Sequence, residues 1–139
     1  MATTVELMEI LKSRLPDKRE FEQKDFCTQV QILMEKRGYR KSDLIRKTMI
    51  DRTYGYQILG GMKVPGKNKV IEIALALGCT LEQCQQLLSL SGNPALYAQN
   101  PFDAVCIYSL NRHLSVMECE QLLAGHHLSL LEEEKESRD

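Results

Sequence analysis

Apolar residues along the chain recur at three- and four-residue intervals, the spacing of one helix face, and β-branched runs are absent. Val5, Met8, Leu11 and Leu15 predict a helix over 4–15, capped by Thr4 and ended by Pro16 and Asp17. It is short enough to be marginal alone, so it packs either on the body of its own chain or on a partner subunit. Phe26, Val30, Leu33 and Met34 predict a helix over 25–37, with Asp25 as its cap and Gly38 as its stop. Two short helices follow. Leu44 and Ile45 anchor one over 41–47. Ile58 and Leu59 anchor the other over 52–59, with Asp51 placed to cap it and Gly60 and Gly61 to stop it. Val64 and Pro65 form an extended exit.

The second half of the chain continues in the same manner. Val70, Ile73, Ala74 and Leu77 share one stripe of a core helix over 68–77, ended by Gly78. Thr80 and Gln83 form a capping box that opens a helix over 81–90, and Gly92, Asn93 and Pro94 break the chain after it. A loop over 95–101 leads to an apolar helix over 102–112, whose stripe comprises Phe102, Val105, Cys106 and Tyr108. Ser115 and Glu118 repeat the capping box for a last helix closed by Gly125. GCTLEQCQQLL at 78–88 echoes HLSVMECEQLL at 113–123, and Val70 and Leu75 match Val105 and Leu110. The echo predicts two helix pairs of one geometry, the second extending the core of the first. The fold class is therefore all-α. The expected divisions are an N-terminal helix or arm at 1–20, a domain at 21–92, a helical extension at 93–127 and an acidic tail at 128–139 with frayed last residues.

Charge changes this picture more than composition does. The chain as a whole carries a net charge of −1. From Lys36 to Lys69, however, ten Lys or Arg stand against two Asp, a net of +8. From His113 to Asp139 seven acids stand against two bases, a net of −5. Such separation predicts a basic face on one segment. Apolar residues make up 43% of the 139, enough for a real core, and no run is long enough to span a membrane. The five cysteines, Cys27, Cys79, Cys84, Cys106 and Cys119, are odd in number and form no CxxC pair. They are expected to be buried free thiols of a cytoplasmic protein, not a disulfide framework or a zinc knuckle. The N-terminal residues lack the apolar stretch of a secretory signal.

Enzyme chemistry finds little support. His126–His127 is the only histidine pair, lacks carboxylates or thiols at ligand spacing, and is expected to be a helix-end pair. No nucleophile–histidine–acid arrangement is suggested, and Gly60 and Gly61 lack the GxxxxGK spacing of a phosphate loop. Neither an enzyme nor a cofactor or metal is expected. The basic stretch instead holds a capped helix of about two turns that carries Arg52, Thr53, Tyr54, Tyr56 and Gln57. A helix of this kind fits the major groove of duplex DNA. Arg52 and Gln57 are the expected base readers, because arginine bonds bidentately to guanine and glutamine to adenine, with Thr53 and Tyr56 beside them. Arg40, Lys41, Tyr54, Lys63, Lys67 and Lys69 are the expected phosphate contacts, which set affinity and register.

Residues 27–90 resemble the lambda-repressor-like helix-turn-helix family of the xenobiotic-response-element type. Leu33 and Gly38 match the end of its first helix and Leu44 its core leucine. Asp51, Arg52, Thr53, Tyr54 and Gln57 match the cap and exposed face of its recognition helix, and Ile58 its core residue. Gly61, Lys63 and Pro65 match the exit, and Ala74, Leu77, Gly78 and Leu81 the closing helices. Lys41 stands where the family usually has a phosphate-binding glutamine. Ile45 replaces a usual alanine, Met49 a usual turn glycine and Gly55 a usual Ile, Leu or Val that faces that alanine. The first and third changes are expected to compensate in volume, with Ile45 packed over Gly55. Met49 implies a turn that either needs no positive φ or tolerates strain.

The resemblance implies a lambda-repressor-like helix-turn-helix bundle with extra C-terminal helices. It implies a sequence-specific DNA-binding transcriptional regulator, a repressor acting on double-stranded DNA as a homodimer. The C-terminal helices would then make the dimer or complete the core. A protein-binding adaptor or an antitoxin on the same scaffold is the alternative. The C-terminal helices and the acidic tail would serve a protein partner in that case.

Overall fold

The computed structural model describes residues 18–133 and is all-α. Its helices are α1 (Lys18–Arg37), α2 (Lys41–Arg46), α3 (Arg52–Leu59), α4 (Lys67–Leu77), α5 (Leu81–Leu90), α6 (Pro101–Asn111) and α7 (Val116–Gly125), followed by a 3₁₀ turn at Leu131–Glu133. The helix expected over 4–15 and the last residues of the tail lie outside the described residues.

Local cap chemistry sets most boundaries. Thr80 and Gln83 exchange their side-chain and backbone bonds at 3.1 and 2.9 Å, and Ser115 and Glu118 do the same at 3.1 and 2.9 Å. Each box satisfies two amides that the helix itself leaves without acceptors. Asn100 caps α6 from one residue before Pro101, whose missing N–H costs nothing at the first helical position. α1 departs from expectation. It is described from Lys18 onward, Asp25 lies inside it, and the division expected at residue 20 therefore falls within a helix. The residues KREFEQK are mostly good helix formers, so no local signal stops the helix short of Lys18.

α4 is the centre of the bundle. Every residue from Val70 to Leu77 is buried, Glu72 included, and α1, α2, α5, α6, α7 and the 131–133 turn all pack on it. A helix apolar on all faces needs cover on all faces, and here both halves of the chain supply it. Phe26, Val30, Leu44 and Ile58 join one continuous core with Leu96, Leu110, Leu123 and Leu131. The divisions expected at 92 and 127 thus separate no cores. Leu131 is wholly buried, and its carbonyl accepts from Asn68 Nδ2 at 3.2 Å, so the start of the acidic segment docks on the body. The connection after α5 is pinned by side chains. Asn93 donates to the Pro65 carbonyl at 3.0 Å, and Gln85 accepts from the Leu96 amide at 2.8 Å while donating to the Leu96 carbonyl at 3.0 Å.

The internal repeat extends to backbone detail. Gly78 bonds back to Leu75 and Cys79 to Ala74; thirty-five residues on, His113 bonds to Leu110 and Leu114 to Ser109. After the second helix of each pair, Gly92 bonds to Ser89 and Asn93 to Leu88, as His127 does to Ala124 and Leu128 to Leu123. The Leu96 amide meets Gln85, and the Leu131 amide meets Glu120 at 2.7 Å. Two copies of one helix–helix–strap unit are therefore stacked. Where the first unit has left-handed glycines, Gly78 at φ +67° and Gly92 at φ +73°, the second has His113 at φ +54° and His127 at φ +58°. The expected helix-end role of His127 follows from that position. A side chain in this backbone region is unfavourable. His113→Gly should accordingly raise stability by about 0.5–1 kcal/mol, read as an increased thermal midpoint. A lowered midpoint would mean that the exposed imidazole makes a contact worth more than the strain.

The cysteines behave as small apolar residues. Cys79, Cys84, Cys106 and Cys119 are buried free thiols; burial pushes Cys79 up to about 11 and Cys84 up to about 12. Half-buried Cys27 donates to the Ile58 carbonyl at 3.4 Å, tying α1 to α3. No helix among the described residues is long and apolar enough to cross a membrane.

Candidate nucleic-acid interface

The basic segment folds into α2, a tight turn and α3. Arg40 occupies the cap position of α2 but has no side-chain acceptor to offer. Asp43 reaches back instead, and its Oδ2 accepts from the Arg40 N–H at 2.8 Å. Its Oδ1 accepts from Arg46 Nη2 at 2.7 Å. The backbone bond from Arg40, helped by the Arg40 and Arg46 charges, holds the Asp43 carboxyl below the usual carboxylate range.

The turn closes without a left-handed residue, as Met49 is not among the positive-φ positions of the described chain. Thr48 Oγ1 organises it by donating to the Ile45 carbonyl at 2.8 Å and accepting from the Ile50 N–H at 3.2 Å. The Met49 N–H points inward and meets Glu72 Oε1 at 2.7 Å. Asp51 caps α3 as expected, accepting from the Tyr54 N–H at 3.2 Å. Ile45 lies directly over Gly55. A Cβ on Gly55 would sit 3.0 Å from Ile45 Cγ1 and 3.2 Å from Cδ1, so the large and small residues are fitted to one another.

This arrangement turns part of α3 outward. Arg52 and Thr53 are exposed and Tyr56 is 36% exposed, with the Arg52 guanidinium 5.8 Å from the Tyr56 ring centre. The stacking restrains a long side chain on the helix surface. Gln57 is half-buried at the edge of the same helix, and Tyr54 is half-buried against the core. Arg40 and Lys41 at the start of α2, and Lys63 beyond α3, are exposed. Lys47, just past α2, is exposed as well, and its ammonium stands 5.5 Å from the Tyr39 ring centre. In the sequence it appears only within the charge total. Its position just past the last turn of α2 was the signal available.

Two expected phosphate contacts are placed differently. Lys67 is turned into the body, where Nζ meets Asp103 Oδ1 at 2.8 Å beneath the Phe102 ring. Asp103 is almost wholly buried and also accepts from the Tyr97 N–H at 2.9 Å, so Lys67 neutralises a structural carboxylate and joins α4 to α6. An ion pair so buried holds its partners in place, since freeing the lysine would leave Asp103 uncompensated. Lys69 is half-buried on α4, where its charge acts on Glu72. Among the described residues no group of three His, Cys, Asp or Glu is set to hold a metal ion. The chain as a whole matches no family model, no curated protein and no solved structure.

Proposed function

We propose that the chain is a sequence-specific DNA-binding regulator of the lambda-repressor-like kind, a repressor that uses α2 and α3 as a helix-turn-helix and acts as a homodimer. The observation that supports this most is the capped, outward-facing α3, with Arg52 stacked on Tyr56 beside Thr53. Arg40, Lys41, Lys47 and Lys63, in the same basic segment, are also exposed. In this reading α3 enters the major groove. Arg52 reads a guanine edge, Thr53, Tyr56 and Gln57 contact neighbouring bases, and the exposed cations of the segment meet phosphates. Tyr54 serves from a half-buried position at the rim. A protein-binding adaptor is the second reading, favoured by Tyr97, Tyr108 and Met117, which are exposed on the C-terminal half.

Selection of bound duplexes from a random pool at about 150 mM salt tests the first reading, because phosphate contacts alone weaken steeply at that salt. A recovered palindrome is the expected result. No duplex binding by the folded protein, even at low salt, would leave the adaptor. On a recovered site, Arg52→Ala should cost about 1–3 kcal/mol in binding and little on random duplex, measured by fluorescence anisotropy. Equal losses on both duplexes would make Arg52 a phosphate contact.

A further inference from the structure

Two carboxyl groups lie inside the body with half of their hydrogen-bonding capacity unused. Glu72, on α4, is wholly buried. Its Oε1 accepts from Met49 in the α2–α3 turn at 2.7 Å, and its Oε2 has no partner among the described residues. Glu120, on α7, is 6% exposed. Its Oε1 accepts from Leu131 at 2.7 Å, and its Oε2 also has none. The repeat shows what the second position ordinarily accommodates. Gln85, the counterpart of Glu120, both accepts from and donates to the backbone of Leu96. Glu120 reproduces the accepting half alone, since a carboxylate has no N–H to give.

Among the described residues, few charges stand near Glu72 to compensate it. Lys69 acts from its own helix, Glu120 from α7 and Glu132 from the C-terminal turn; the α2–α3 turn contributes only the Met49 amide. The Cys119 thiol on α7 feels both acids. One half-buried cation therefore faces two further anions. An isolated buried carboxylate is strongly disfavoured in such surroundings and neutralises instead.

We propose that Glu72 holds a proton in the folded protein and acts as an acid-stabilised latch. It ties the α2–α3 turn to α4, beneath the C-terminal unit, and loosens that junction when the proton leaves. The protonated acid keeps the Met49 bond and turns its idle oxygen into a donor. Loss of the proton places two carboxylates in one buried region, and the packing of α7 and the 131–133 turn on α4 must open there to admit water. Burial, reinforced by Glu120 and Glu132, raises the Glu72 carboxyl above its ordinary value, against the pull of Met49 and Lys69. Between the unfolded value of 4.5 and the higher folded one, the folded state holds more protons. The Glu72 contribution to stability is thus fully present below that window, and falls as pH rises through it, levelling once both states are ionised.

Thermal unfolding of the full chain, with no DNA present, tests this independently of the DNA reading. Glu72→Gln keeps the acceptor for Met49 and puts an amide donor where Oε2 has no partner. From about pH 5 to about pH 8 the wild-type midpoint should fall, and the variant should melt higher at the upper end with most of the slope removed. The difference between the two chains excludes the three histidines, which both share. A variant that melts lower than wild type at about pH 8, or one that keeps the full slope, would overturn the latch. Should Glu72→Gln fail to fold, Glu120→Gln removes the facing charge and supplies the donor Gln85 has. It should also raise the midpoint at about pH 8, and an unchanged midpoint and slope would overturn the proposal equally.

Discussion

A chain ending at Gly92 is expected to show no cooperative thermal transition. Such a chain loses Leu96, Leu110, Val116, Leu123 and Leu131 from the core, together with buried Cys106 and Cys119. Each large apolar side chain contributes about 1.5–3 kcal/mol by burial, so the five aliphatic residues alone amount to roughly 10 kcal/mol. That is comparable to the entire net stability of an ordinary domain, about 5–15 kcal/mol. The damage also reaches back into the retained half. Lys67 loses Asp103, Gln85 loses both bonds to Leu96, and α4 loses the cover of α6, α7 and the 131–133 turn. Circular dichroism on heating would decide the matter. A sharp, reversible transition in the shortened chain would mean that residues 18–92 form a self-sufficient body and that the C-terminal unit serves association instead.

The second large effect concerns Ile45 and Gly55. Gly55→Leu forces a side chain into space that Ile45 occupies at 3.0 Å, and should destabilise by about 1–3 kcal/mol. Ile45→Ala removes a side chain only 9% exposed and should cost about 2–4 kcal/mol through lost burial and an unfilled cavity. The double variant exchanges large for small and small for large across one contact, and should recover much of either loss. It also replaces a helical glycine, worth about 1 kcal/mol relative to alanine. The coupling in a denaturant cycle should therefore be strongly favourable, on the order of 0.5–3 kcal/mol. Additive losses would show that neighbouring side chains, not this contact, absorb the changes.

What was legible in the sequence was what short-range chemistry decides. α3 spans Arg52–Leu59 as the Asp51 cap and the double glycine predict, and the two capping boxes open α5 and α7 where Thr80 and Ser115 stand. The volume exchange between Ile45 and Gly55 was legible as well, because each departs from a pattern in which the two positions face one another. Apart from the start of α1, the misses share a cause: each depends on a partner far along the chain. Nothing near Lys67 reveals that Asp103, 36 residues away, holds its ammonium. Glu72 interrupts an apolar run on a helix that is buried on every side, and periodicity treats one polar residue there as a solvent-facing position. Leu131 sits beside three glutamates, whose charge conceals that it is a core residue. Within the candidate interface, Arg52 and Thr53 are exposed as the matched recognition face implies, whereas Tyr54 and Gln57 of that face are half-buried and the ion pair of Lys67 is visible only in the fold. The helix-turn-helix assignment and its DNA partner rest on the family resemblance and on the experiments above.

The burial of Leu131 against α4 has a consequence for how the chain is made. Translation proceeds from the N-terminus at about 5–20 residues per second, so residues 93–131 take roughly 2–8 s to be added after Gly92. For that interval α4, with its unbroken run of buried residues, has been synthesised while part of its cover has not. The nascent chain then presents the sticky, aggregation-prone surface that chaperones bind. The basic segment of α2 and α3 is synthesised early, before the second helix pair and the closing strap that cover α4.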